Sequence, residues 1–97
     1  MKTLNEILKV LETHKKEMQE RFFVKEIGVF GSYVRGEQNE YSDVDILVEF
    51  TKPIDFFLFL DFEEYLSNLL GIKVDLVMKK TLKPRIERKI MKEIVHV

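Results

Sequence analysis

The stretch from Asp43 to Phe50 does most to limit what this chain can fold into. Val44, Ile46, Val48 and Phe50 alternate with Asp43, Asp45, Leu47 and Glu49. That period of two suits a strand and not a helix. One face of such a strand belongs in a core. Asp43 and Asp45 leave the opposite face together. Any fold must therefore bury the valines while holding two carboxylates side by side on a rigid element.

The flanking segments read as an order of α-β-turn-β-α-β-α. Thr3 and Glu6 form a capping box. Leu4, Ile7, Leu8, Leu11 and Met18 then recur at helical spacing to about Arg21. Val24 to Phe30 reads as a first strand. Gly31 ends it, and Ser32 can cap a short helical turn through Arg35. Residues 36–42 are polar, as an exposed loop should be, and Ser42 reads as a turn former. Asp55 caps a helix that Gly71 terminates near Leu70. Val74 to Met78 is a third strand. Pro84 sits in the first turn of a last helix, whose apolar stripe is Leu82, Ile86, Ile90 and Ile94. The expected fold class is α/β (α+β), a mixed three-stranded sheet packed with helices in two layers. With 97 residues and no internal linker, one domain over 1–97 is expected.

Composition removes several function classes. There is no cysteine, which excludes thiolate metal sites, disulfides and cysteine nucleophiles. The formal net charge is −1, from 16 Lys and Arg against 17 Asp and Glu, which does not mark a direct nucleic-acid binder. Charges interrupt the first apolar stretch at every turn, so neither a signal peptide nor a membrane span is expected, and the default location is cytoplasmic. His14 and His96 stand apart from the acidic residues in sequence and read as surface residues.

Asp75, in K-V-D-L-V, alternates to the side opposite its local core face. If the second and third strands are neighbours, Asp43, Asp45 and Asp75 converge. Carboxylates that close repel, and one stays protonated unless a cation joins them. Magnesium suits such oxygen donors and is held by few carboxylates together with substrate phosphates. Gly31 after a strand lets the backbone approach an anion, and N–H groups of the following turn with the Ser32 hydroxyl can hold phosphate oxygens. Each signal has a plain alternative. D-x-D can be an exposed strand edge, Gly-Ser a turn, and Asp75 a surface residue. Their combination in one order carries the argument.

The run G-S-Y-V-R-G-E-Q-N-E-Y-S-D-V-D resembles the G-S-x(10)-D-x-D signature of the DNA polymerase beta-like nucleotidyltransferase superfamily. The R-G and S-D-V-D details, the later K-V-D-L-V and the short length are similar to its minimal nucleotidyltransferase branch, the antitoxins of HEPN/MNT pairs. The resemblance implies a polymerase beta-like core with Gly31 and Ser32 on the β and γ phosphates of ATP. It implies Asp43 and Asp45 on two magnesium ions, with Asp75 completing the catalytic ion's shell and helping to orient or deprotonate the acceptor. Arg35 either pairs with a phosphate or forms a salt bridge that fixes the loop. The implied activity is protein adenylylation, in which AMP from ATP is placed on a tyrosine of a HEPN-type RNase toxin held in a hetero-oligomer. A homo-oligomer is also open, since larger relatives carry further domains that hold the base and acceptor. Two other readings stand beside it. One is a non-catalytic antitoxin that acts by binding. The other is nucleotidyl transfer to a small molecule or an RNA end.

Two further features have two readings each. Phe56, Phe57 and Leu60 fall off the core face of their helix. They either cover the sheet edge or form a partner patch. The basic residues from Lys79 to Lys92 are either a solvated face or a rim, from which Lys79 or Lys80 reaches a triphosphate or recruits RNA.

Overall fold

The alternating segment is a strand, β2 (Val44–Phe50), and its valines are buried as the pattern requires. The computed structural model describes residues 2–97. The elements before β2 are α1 (Leu4–Thr13), α2 (Lys15–Phe22), β1 (Val24–Phe30) and the one-turn α3 (Ser32–Arg35). After it come α4 (Phe56–Leu70), β3 (Val74–Met78), a 3-10 turn at Lys79–Thr81, α5 (Pro84–Met91) and β4 (Val95–His96). The sheet order is β3-β2-β1-β4. β1 runs antiparallel to both β2 and β4, while β2 and β3 are parallel. Parallel neighbours need a crossover, and α4 supplies it.

Val44, Ile46 and Val48 lie against Phe62, Leu66 and Leu70 of α4 and Ile7, Leu11 and Met18 of α1 and α2, in one buried cluster. Phe62 sits among the rings of Phe22, Phe50 and Tyr65. The other sheet face carries Asp45 and is covered in part by the C-terminal segment. Leu47, the one apolar residue on the polar side of the alternation, is buried there.

Three expectations need correction. The sheet has four strands, not three. The last helix stops at Met91, so Ile94 is not on a helical stripe; its side chain lies on Gly28, where a Cβ would come within 2.7 Å of it. Ile94 leads straight into β4, and a two-residue strand is too short to announce itself by alternation. Ile86 of the expected stripe is 48% exposed, while Ile90 is buried. The first helix is also two, broken at His14. That ring is half-buried and bonds the Val10 carbonyl oxygen at 2.9 Å, so His14 joins two helices and is not a free surface residue.

Phe62→Ala is expected to cost about 3–5 kcal/mol, because it removes a fully buried ring shared by α2, α4 and β2. Chemical denaturation monitored by circular dichroism measures this directly.

Candidate active site

Asp45 and Asp75 are register partners across the β2–β3 ladder. Same-face neighbours on adjacent strands come within about 5 Å, so the two carboxylates face each other. Asp43 lies just before β2, at the end of the loop from α3. The condition that the sequence left open, that β2 and β3 are neighbours, is met.

The consequence is electrostatic. Burial pushes the Asp45 carboxyl up, the charges of Asp75 and Asp43 push it further, and Arg35 opposes them only in part, leaving it at about 6. Asp45 therefore feels the charges of both other carboxylates. Among the described residues, however, no three His, Cys, Asp or Glu side chains already close on one point as a metal cage. The donor chemistry still fits a hard divalent cation. The site concentrates oxygen donors and excess negative charge on an open edge, and magnesium is bound by few protein carboxylates plus phosphate oxygens.

Gly31 stands directly against this pair. Its backbone, at φ +82° and ψ −152°, occupies a region that is essentially glycine-only. A Cβ there would run into the Asp45 carboxylate. Glycine is thus required twice, once by the backbone and once by the side chain beside it. The Gly31 carbonyl accepts from the Val34 and Arg35 N–H groups at 3.0 and 3.2 Å. In a trans peptide the following N–H points the opposite way, so the Ser32 N–H faces out of the turn.

Arg35 makes ion pairs of the kind its salt-bridge reading expects. Its Nε donates to Glu37 at 2.7 Å and its Nη1 to Glu93 at 2.9 Å. Glu93 also accepts the Gly31 N–H at 2.6 Å. It was not among the residues marked by the sequence: it lies 62 positions from Gly31 and in no motif. Partial burial pushes Glu93 up, but the Gly31 N–H and Arg35 outweigh this and hold it below the usual glutamate range.

The remaining candidates fall elsewhere. β3 carries Lys79 and Lys80 away from Asp75, with Lys79 four residues on and so roughly 13 Å distant. Lys79 instead lines a cavity of about 380 Å³ with Lys25, Glu49 and His96, which contains none of the three aspartates. Asp43 lines a separate open groove of about 890 Å³ with Tyr33, Tyr41 and Lys73. Phe57 and Phe56 are 75% and 67% exposed, so neither ring is sealed against the sheet edge. Among the described residues no helix is long and apolar enough to cross a membrane.

Comparison with known proteins agrees with this geometry. The Nucleotidyltransferase domain family matches residues 11–97. The protein adenylyltransferase MntA of Thermococcus cleftensis is 57% identical over all of this chain and 98% of its own length. The solved structure of a provisionally assigned minimal nucleotidyltransferase superposes with a TM-score of 0.79 at 31% identity, covering 93% of this chain and 92% of its own. A toxin-antitoxin crystal structure with AMP-PNP has a TM-score of 0.71 at 25% identity, covering 95% of this chain and 69% of the matched one.

Two outcomes follow from the site's strain and charge. Gly31→Ala is expected to destabilise the chain by about 1–3 kcal/mol from the backbone alone, with a further loss from displacing Asp45, read as a lowered thermal midpoint. Asp45 binds protons more tightly folded than unfolded, where its value is 3.8. Its stabilising share is thus complete below pH 3.8 and lost as the pH rises through about 6. Asp45→Asn should therefore raise the thermal midpoint at pH 8, with the gain fading as the pH falls toward 4 in metal-free buffer.

Proposed function

The chain belongs to the nucleotidyltransferase domain family, and from that premise we propose that it is the antitoxin of a toxin-antitoxin pair, transferring AMP from ATP to a tyrosine of a HEPN-type RNase toxin. The observation that carries this reading is the Asp45–Asp75 pair set directly beside the Gly31–Ser32 turn. The full-length likeness to a protein adenylyltransferase supports AMP transfer onto protein. The toxin-antitoxin structure with AMP-PNP supports an adenine nucleotide and a toxin partner.

In this reading the Ser32 N–H and hydroxyl receive the β and γ phosphates, with Gly31 allowing the close approach. Asp43, Asp45 and Asp75 would hold magnesium. When bound, magnesium neutralises charge on the triphosphate and stabilises the departing pyrophosphate. Asp75 is exposed on an edge strand, so an acceptor arriving from outside meets it first. It orients the tyrosine hydroxyl and takes its proton. The tyrosine oxygen bonds to the α-phosphorus, the α–β bridging bond breaks, and its electron pair leaves with pyrophosphate. A charged AMP placed beside an RNase active site would repel and obstruct RNA.

The test is incubation of the chain with α-labelled ATP, magnesium and its cognate toxin. Label is expected on a toxin tyrosine, and Asp43→Asn with Asp45→Asn should slow its appearance at least about a hundredfold. Label on RNA or a small molecule instead would refute protein transfer. So would a double variant that still silences the toxin with no AMP attached, which is the result expected of an antitoxin acting by binding.

A further inference from the structure

We propose that Glu93 is a positioning residue that sets the Gly31–Ser32 turn for nucleotide binding, by clamping Gly31 and Arg35 with one carboxylate. The inference rests on the nucleotide reading given above.

Four residues cannot hold a helix by themselves, since a single turn fixes several dihedrals for very few hydrogen bonds. α3 has two backbone bonds onto the Gly31 carbonyl. The Gly36 and Glu37 N–H groups add two more onto the Ser32 carbonyl, and the remaining hold comes from outside the turn. Gly31, immediately before it, is buried, and a buried N–H at the end of a strand needs an acceptor. Glu93 Oε2 is that acceptor, at 2.6 Å. The last residue of α3 is Arg35, and its Nη1 meets both oxygens of the same carboxylate at 2.9 and 3.1 Å. One side chain thus spans the turn from end to end.

The clamp is itself held in place. The Glu93 and Ile94 N–H groups donate to the Ile90 carbonyl, at the end of α5. Two residues later the chain enters β4, paired to β1 through Val29 and Val95. The Val97 N–H then reaches the Ile27 carbonyl, and Lys15 Nζ donates to the Val97 carbonyl at 2.9 Å. Glu93 therefore approaches Gly31 from a segment anchored on both sides. Arg35 has its Nε on Glu37 and its Nη1 on Glu93, so its role is to complete the clamp. Hydrogen bonds to charged groups are the stronger kind, and all three bonds to Glu93 are of that kind.

The experiment measures affinity for a non-hydrolysable ATP analogue with magnesium by calorimetry, alongside the thermal midpoint. Glu93→Ala is expected to weaken binding roughly tenfold or more. Glu93→Gln keeps an oxygen for the Gly31 N–H and should recover part of that loss. Arg35→Ala should weaken binding in the same direction. The double variant Glu93→Ala, Arg35→Ala should bind no worse than Glu93→Ala alone, because the two act as a unit. A Glu93→Ala protein with a lowered thermal midpoint and unchanged affinity overturns the proposal in favour of a purely structural role. Tighter binding by Glu93→Ala also overturns it, since a freed Arg35 would then be a phosphate ligand itself. Hydrogen exchange in the wild type gives a measurement that needs no variant. The Gly31 amide is expected to be protected without nucleotide, and free exchange there removes the clamp. A wild-type chain that binds no analogue overturns the nucleotide reading and this proposal with it, a result distinct from variants that bind as well as wild type.

Discussion

Two carboxylates paired across a parallel ladder repel each other, and the structure has to hold them there. The force that does so acts from the far side of the sheet. Val44, Ile46, Val74 and Leu76 flank Asp45 and Asp75 in the chain and are all buried. Each fully buried aliphatic side chain contributes about 1.5–3 kcal/mol. Four of them outweigh the burial and neighbouring charge that lift Asp45 to about 6. Core and site are thus the two faces of the same residues. A strand that slipped by one position would bury the aspartates and expose the valines. The register that places the carboxylates is therefore the one the core enforces.

The elements that encode this were legible in the sequence because their signals are local. β1, β2, β3 and α4 announce themselves by alternation, by Asp55 and by Gly71, and the structure places each where the pattern does. The neighbouring of Asp45 and Asp75 followed from their faces once β2 and β3 were adjacent. The requirement for Gly31 was legible only in part. Its close approach to an anion is a local argument, whereas the Asp45 carboxylate against its missing side chain is a contact across the sheet. What escaped depends on contacts between distant residues. β4 is two residues long and exists because Gly28 leaves room for Ile94 and β1 offers an open edge. The break at His14 interrupts a helical period that continues on both sides, since Leu11 and Met18 are both buried.

The β3 edge of the sheet is left open to the outside. Asp75 lies on the outermost strand, and the aromatic rings of Phe56 and Phe57 are open at the start of α4. A hollow of about 330 Å³ lies between Phe56, Leu76, Val77 and Met78, on the same edge strand as Asp75. The exposed Asp75 carboxylate thus shares its strand with an apolar recess.

Glu93 shows where motif reading stops. A pattern such as G-S-x(10)-D-x-D records which groups contact substrate, but a glycine turn also needs its N–H satisfied. That partner can come from any distance in sequence. Here it comes from the end of the chain, through α5 and β4. The Gly31–Ser32 turn and the C-terminal strand therefore share one hydrogen-bonded unit, and the geometry of the first is set by the docking of the second. A charge at this position has no periodicity and no neighbouring motif to mark it. Only the accounting of the Gly31 N–H, a buried donor that must have an acceptor, leads to it.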